Sequence, residues 1–187
     1  MVDRHVEVIG DGDRSRIVVE TTDTHALTST ADRATVRNLT IRTVGARGAK
    51  CGVVLVSRGR VLIDPCDLKS SNRAVVYISG MDSDPLVSDC QIRDGQDAGV
   101  DVYEQGQGTI ERCVFSGNAR AGVEISEGGN PTVRDCEIRR NGYEGVWVSE
   151  QGQGTFTGNT LTGNARGAWD VASDAGRVTR TGNRPNA

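Results

Sequence analysis

Residues 85–107 read PLVSDCQIRDGQDAGVDVYEQGQ, and the three stretches that follow repeat them: GTIERCVFSGNARAGVEISEGGN (108–130), PTVRDCEIRRNGYEGVWVSEQGQ (131–153) and GTFTGNTLTGNARGAWDVASDAG (154–176). Cys66, Cys90, Cys113 and Cys136 keep the same rhythm, at intervals of 24, 23 and 23 residues. A fixed period of this length is the signature of a solenoid. Inside each unit the apolar residues alternate. Val100 and Val102 flank Asp101, Val123 and Ile125 flank Glu124, and Val146 and Val148 flank Trp147. Cys90 and Ile92, Cys113 and Phe115, and Cys136 and Ile138 form a second set of such triplets. A third buried point stands three residues before each Cys, at Ile63, Val87, Ile110 and Val133. Period-2 triplets separated by Gly, Asn, Asp and Pro read as very short strands joined by tight turns, and no stretch carries the ~10 residues of helical periodicity a helix needs.

Three strands make one loop around an axis, and a loop this small cannot bury its apolar face alone, so loops must stack. Stacking sets equivalent residues on parallel neighbouring strands about 4.8 Å apart, with right-handed connections. The expected fold is all-β, a right-handed parallel β-helix of about seven to eight coils of ~23 residues, about 35 Å long. Upstream, RHVEVIG and RIVVE supply the first strands. VRNLTIR (36–42) puts Leu39 at the Cys position, Ala74–Ile78 matches Ala98–Val102, and Gly52–Leu55 is aligned with Gly99–Val102. Residues 1–176 are expected to form one domain, with 177–187 capping the last coil or fraying. The chain opens mid-coil on a strand with no cap before it, and an open solenoid end exposes unpaired strand edges. A fragment of a longer chain is one reading of that opening; a second copy docked through the coil ends is another.

Composition narrows the function. The net charge is -3, and the 22 Lys and Arg are spread without a basic stripe, which disfavours nucleic acid as partner. No apolar run is long enough to span a membrane and no signal peptide is legible. Four of the five cysteines lie on one interior ladder. Thiols spread along a line over about 14 Å cannot build a tetrahedral metal site, so they read as reduced small hydrophobes, which favours a cytoplasmic setting.

Outward positions form rows. Asp89, Arg112 and Asp135 alternate in sign, Glu111 lies beside Arg134, and Asp97, Arg120, Tyr143 and Arg166 form a mixed row, all consistent with exposed ion pairing. Asn118, Asn141 and Asn164 recur in one turn and suit a hydrogen-bonded ladder. Glu104, Glu127 and Glu150 stack like charges and are weak candidates for binding calcium, against the reading that they splay into water. The row Asp101, Glu124, Trp147, Asp170 is the strongest functional signal. An outward Trp between acidic groups, with Tyr143 or Tyr103 nearby, has the make-up of a sugar-stacking platform, although a Trp packed on a neighbouring loop or partner would look the same. Trp169 falls at the inward Val146 position and reads as a cap.

The repeat Cys/Asn-x-Ile-x-x-Asn-x-x-x-Gly-Val-x-Val, with the opening VEVIGDGDRSRIVVE, resembles the right-handed β-helix repeats of the pectate-lyase-like superfamily over residues 5–183. The most similar branch holds repeats of periplasmic copper-maturation proteins, carbohydrate-binding and sugar-hydrolase domains, and F-box proteins. The resemblance implies the fold firmly. For function it spans lyases, hydrolases, epimerases and plain interaction domains. The Asn-Thr-Asp, Gly-His-Gly and Arg-Ile-Lys motifs of polygalacturonase-like enzymes are missing, and the two histidines are His5 and His25. The turns are short, whereas enzymes of this fold build clefts from long insertions. The expectation is a non-catalytic binding or scaffold domain, without a cofactor, contacting a carbohydrate or protein through Asp101, Glu124, Trp147, Asp170 and Tyr143. The alternative is a carbohydrate-active enzyme, a lyase, hydrolase or epimerase with Asp101 and Glu124 as acid and base.

Overall fold

The computed structural model describes residues 1–45 and 51–185. Its strands form three sheets, each strand pairing in parallel with its counterparts one coil away. The first sheet runs from Glu7–Ile9 to Val178–Thr181 and has eight strands. The second, also of eight, runs from Val18–Thr21 to Arg184–Pro185. The third has seven, from Leu27–Ser29 to Trp169–Val171. This is the expected parallel β-helix. The one described helical element is a 3-10 turn at Arg14–Arg16, whose start is held by the Asp13 carboxylate accepting from the Ser15 N–H at 2.9 Å.

The alternation read from the sequence is the alternation of the sheets. Val100, Val102, Val123, Ile125, Val146 and Val148 are fully buried, as are Ile63, Val87, Ile110 and Val133. Each such side chain contributes about 1.5–3 kcal/mol by leaving water, which holds strands of only three or four residues in place. Ile41, Leu68 and Ile92 share one inward register, which fixes Leu39 at the Cys position. One alignment needs correction. Val54 pairs with Val76, which pairs with Val100, so Val53–Val56, not Gly52–Leu55, corresponds to Gly99–Val102. Leu55 therefore faces outward. A slip of one residue exchanges the two faces of a strand, and this error concealed part of the site.

All five cysteines are buried and unpaired. The Cys90 thiol accepts from the Cys66 N–H at 3.3 Å and donates to the Ile63 carbonyl at 3.5 Å. Further along the same position Asn159 takes over: its Oδ1 accepts from Cys136 N–H at 3.0 Å and its Nδ2 donates to the Val133 carbonyl at 2.9 Å. The Asn ladder forms as read. Asn118 Nδ2 donates to Asn141 Oδ1, and Asn141 Nδ2 to Asn164 Oδ1, both at 2.9 Å. Arg112 forks onto Asp89 through bonds of 2.8–3.2 Å, and Arg134 pairs with the buried Glu111. Past residue 176 the pairing continues for one more rung in the first and second sheets. Trp169 stands opposite Val146 and meets Phe156 edge-on at 5.1 Å, with the Arg180 guanidinium 5.1 Å above its ring.

Candidate functional site

The outer face of the third sheet gathers the chemistry. Leu55, Tyr77, Asp101, Glu124, Trp147 and Asp170 occupy successive rungs in register. Each is forced outward because its two strand neighbours fill the core. Beside this row lies a second, Asp97, Arg120, Tyr143 and Arg166, joined rung to rung by backbone hydrogen bonds.

Arg120 ties the two rows together. Its guanidinium reaches Asp97 at 3.1 Å and Glu124 at 3.7 Å, and lies 4.9 Å from the Trp147 ring centre and 5.6 Å from that of Tyr143. Arg166 stacks on Tyr143 at 3.5 Å. The structure thus brings Glu124, Trp147 and Tyr143 together around one cation. It leaves Asp101 one rung to one side and the exposed Asp170 one rung to the other. Trp147 is not a bare platform, because a guanidinium sits over it and holds it by a cation–π contact.

The two adjacent carboxylates are abnormal acids. Burial, then the charges of Glu124 and Asp97, raises Asp101 from 3.8 to about 7. Burial also raises Glu124 from 4.5 to about 7, with Arg120 pulling the other way. With two carboxyl groups in register both raised to about 7, this face holds acids near neutrality that can donate and accept a proton.

A family model described as "Right handed beta helix region" matches residues 25–184. The chain belongs to the right-handed β-helix family. Comparison with curated proteins and with solved structures returns no significant match.

Next to Asp101 this β-helix carries a concavity of about 340 Å³ lined by His25, Leu55, Arg73, Tyr77 and Tyr103. The sequence reading missed it, apart from placing Tyr103 near the outward row. Tyr77 meets His25 edge-on at 5.8 Å and Tyr103 at 6.2 Å. His25 Nδ1 accepts from the Gly52 N–H at 3.2 Å, which leaves the ring proton on Nε2, and burial lowers its pKa. Gly52 is needed here: a Cβ at that position would come within 2.8 Å of the Tyr77 ring. Burial raises the Tyr77 phenol to about 12. The signal available in the sequence was the outward register of Leu55.

The three weak calcium candidates of the β-helix do not converge on a site. Glu104, Glu127 and Glu150 occupy exposed turn tips in the left-handed region, with φ of 50°, 46° and 49°. Among the described residues no group of three or more His, Cys, Asp or Glu is placed to hold a metal. At a turn tip each carboxylate is solvated separately, so stacked backbones need not converge their charges.

Proposed function

We propose that the outer face of the third sheet is a non-catalytic carbohydrate-binding surface on a rigid scaffold. The observation that carries this reading is the continuous strip of two rows: the Tyr77–Tyr103–His25 concavity, then Asp101 and Glu124, then Trp147 with Tyr143 beside it. Aromatic faces take the apolar faces of pyranose rings, and half-buried carboxylates accept hydrogen bonds from sugar hydroxyls. A β-helix supplies the rigidity such a strip needs, because each outward side chain is anchored by buried neighbours. The test is titration of the protein with a panel of neutral and acidic oligosaccharides, following Trp147 fluorescence in a Trp169→Phe background. A saturable change that Trp147→Ala abolishes and Glu124→Gln weakens supports the reading. If no oligosaccharide perturbs Trp147, or if both variants bind as the parent does, the reading is wrong.

One observation favours a second reading, a carbohydrate-active enzyme. Asp101 and Glu124 are register partners, and both are raised to about 7, a range in which one carboxyl can hold a proton while the other accepts one. Release of reducing ends or unsaturated uronates from a polysaccharide, lost in Asp101→Asn and Glu124→Gln, would select it.

A further inference from the structure

The two ends of the rod are built differently. At the C-terminal end the inward column is closed. Arg180 stands at the register position of Phe156, with its guanidinium over Trp169, and Pro185 stands at that of Leu161. A charge in the core column and a proline on the edge are devices that blunt further strand addition. At the N-terminal end nothing comparable is present among the described residues. Val8 continues the column of Val36, and Val19 continues that of Ile41. Val36 and Ile41 are buried, yet Val8 and Val19 are each 38% exposed. Their outward neighbours Ile9 and Val18 are 57% and 41% exposed. Among the described residues the strands Glu7–Ile9 and Val18–Thr21 each pair on one side only. The third sheet's edge, by contrast, is already covered, since Val2 bridges to Ser29.

The two open edges mirror each other in pattern, with Ile9 answered by Val18. The first reads Glu7-Val8-Ile9 toward the corner, and the second reads Val18-Val19-Glu20 away from it. A two-fold axis through that corner, perpendicular to the rod, lays the first strand of one copy antiparallel to the second strand of another. Val8 then faces Val19 and Ile9 faces Val18, inward against inward and outward against outward, twice by symmetry. Head-to-tail stacking would instead drive Arg180 onto Val8 and Pro185 onto Val19. One unfavourable juxtaposition of the two-fold arrangement, Glu7 near Glu20, is relieved by the Arg42–Glu20 ion pair. We propose that the first coil is a self-association surface, and that two copies meet N-terminal end to N-terminal end in a closed, isologous dimer. This interface is independent of the carbohydrate-binding strip.

The test is sedimentation equilibrium and light scattering of the 187-residue chain over a concentration series. The mass should rise from monomer to dimer and stop there. Ile9→Lys and Val18→Lys alter residues that are already exposed. Each should shift dimerisation to at least tenfold higher concentration while leaving the circular dichroism spectrum unchanged. The double variant Ile9→Cys/Val18→Cys should give a covalent dimer on mild oxidation. A monomer at every concentration would overturn the proposal and assign the edge to another occupant. Growth beyond the dimer would overturn it in favour of head-to-tail stacking. A dimer indifferent to both lysines, or no cross-link, would place the contact elsewhere.

Discussion

Asp101 and Glu124 couple the stability of the fold to pH. Each carboxyl holds its proton more tightly in the folded chain than in the unfolded one, since its pKa is raised to about 7 from 3.8 or 4.5. The sign follows from linkage: this contribution to stability is fully present below about pH 4 and is lost as pH rises through about 7. In urea melts at pH 5 and pH 8, Asp101→Asn/Glu124→Gln should therefore gain relative to the parent at pH 8. The gain should be on the order of 1–3 kcal/mol, well under the full shift because both groups keep contact with water. An identical pH slope in the two proteins would show that the pair is not perturbed. Arg120 supports a second expectation, conditional on an oligosaccharide being found that binds. A sugar stacking on Trp147 must displace a guanidinium held by a cation–π contact worth about 0.5–1 kcal/mol. Arg120→Ala should therefore tighten that binding about two- to fivefold. Weaker binding in the calorimeter would mean that Arg120 itself contacts the ligand.

At the scale of an element, the Asn and Cys ladders do the same work with different atoms. Asn141 accepts from both the N–H and Nδ2 of Asn118 and donates to Asn164. Truncation breaks three bonds in a buried turn. Asn141→Ala should cost about 2–4 kcal/mol, read as a fall in urea midpoint at constant slope. Cys136→Asn should behave differently, because Asn159 already occupies that ladder with bonds to the rungs on either side. The new amide would find Asn159 Oδ1 and the Ile110 carbonyl, the acceptor that the Cys136 thiol reaches at 3.7 Å. A change within about 1 kcal/mol is expected, and a loss as large as that of Asn141→Ala would refute the equivalence. These ladders were legible in the sequence because equivalent positions hold like residues at constant spacing. Leu55 was not, because the offset is 22 residues from Val54 to Val76 but 24 from Val76 to Val100. Where the period drifts, apolarity alone cannot phase a strand that is rich in Val on both faces. The His25 concavity was illegible for a related reason: its walls come from separate coils, His25 by way of the turn before Leu27–Ser29. Placing Arg120 over Trp147 depends on where a long side chain lies, which repetition does not encode.

For the whole molecule, the consequence of stacking is that stability accrues coil by coil through nearest neighbours. Excising residues 108–130 joins Gln107 to Pro131 in the phase that Gly108 occupied. Val87 then meets Val133, Cys90 meets Cys136, Ile92 meets Ile138 and Val100 meets Val146, each a pairing of core residues like those it replaces. The shortened chain should keep its β-sheet circular dichroism and a cooperative transition. At the usual 0.05–0.15 kcal/mol per residue it should lose about 1–3 kcal/mol. It would also lose Arg120 and Glu124, setting Asp101 directly beside an uncovered Trp147. Excising only 108–119 makes the contrast. The third-sheet strands Val100–Tyr103 and Val123–Ile125 would follow one another with nothing to build the other two faces between them. That chain should unfold or aggregate although it loses fewer residues. Should the half-coil deletion prove the more stable of the two in size-exclusion and thermal melts, stability would follow the number of residues kept rather than the integrity of the coils.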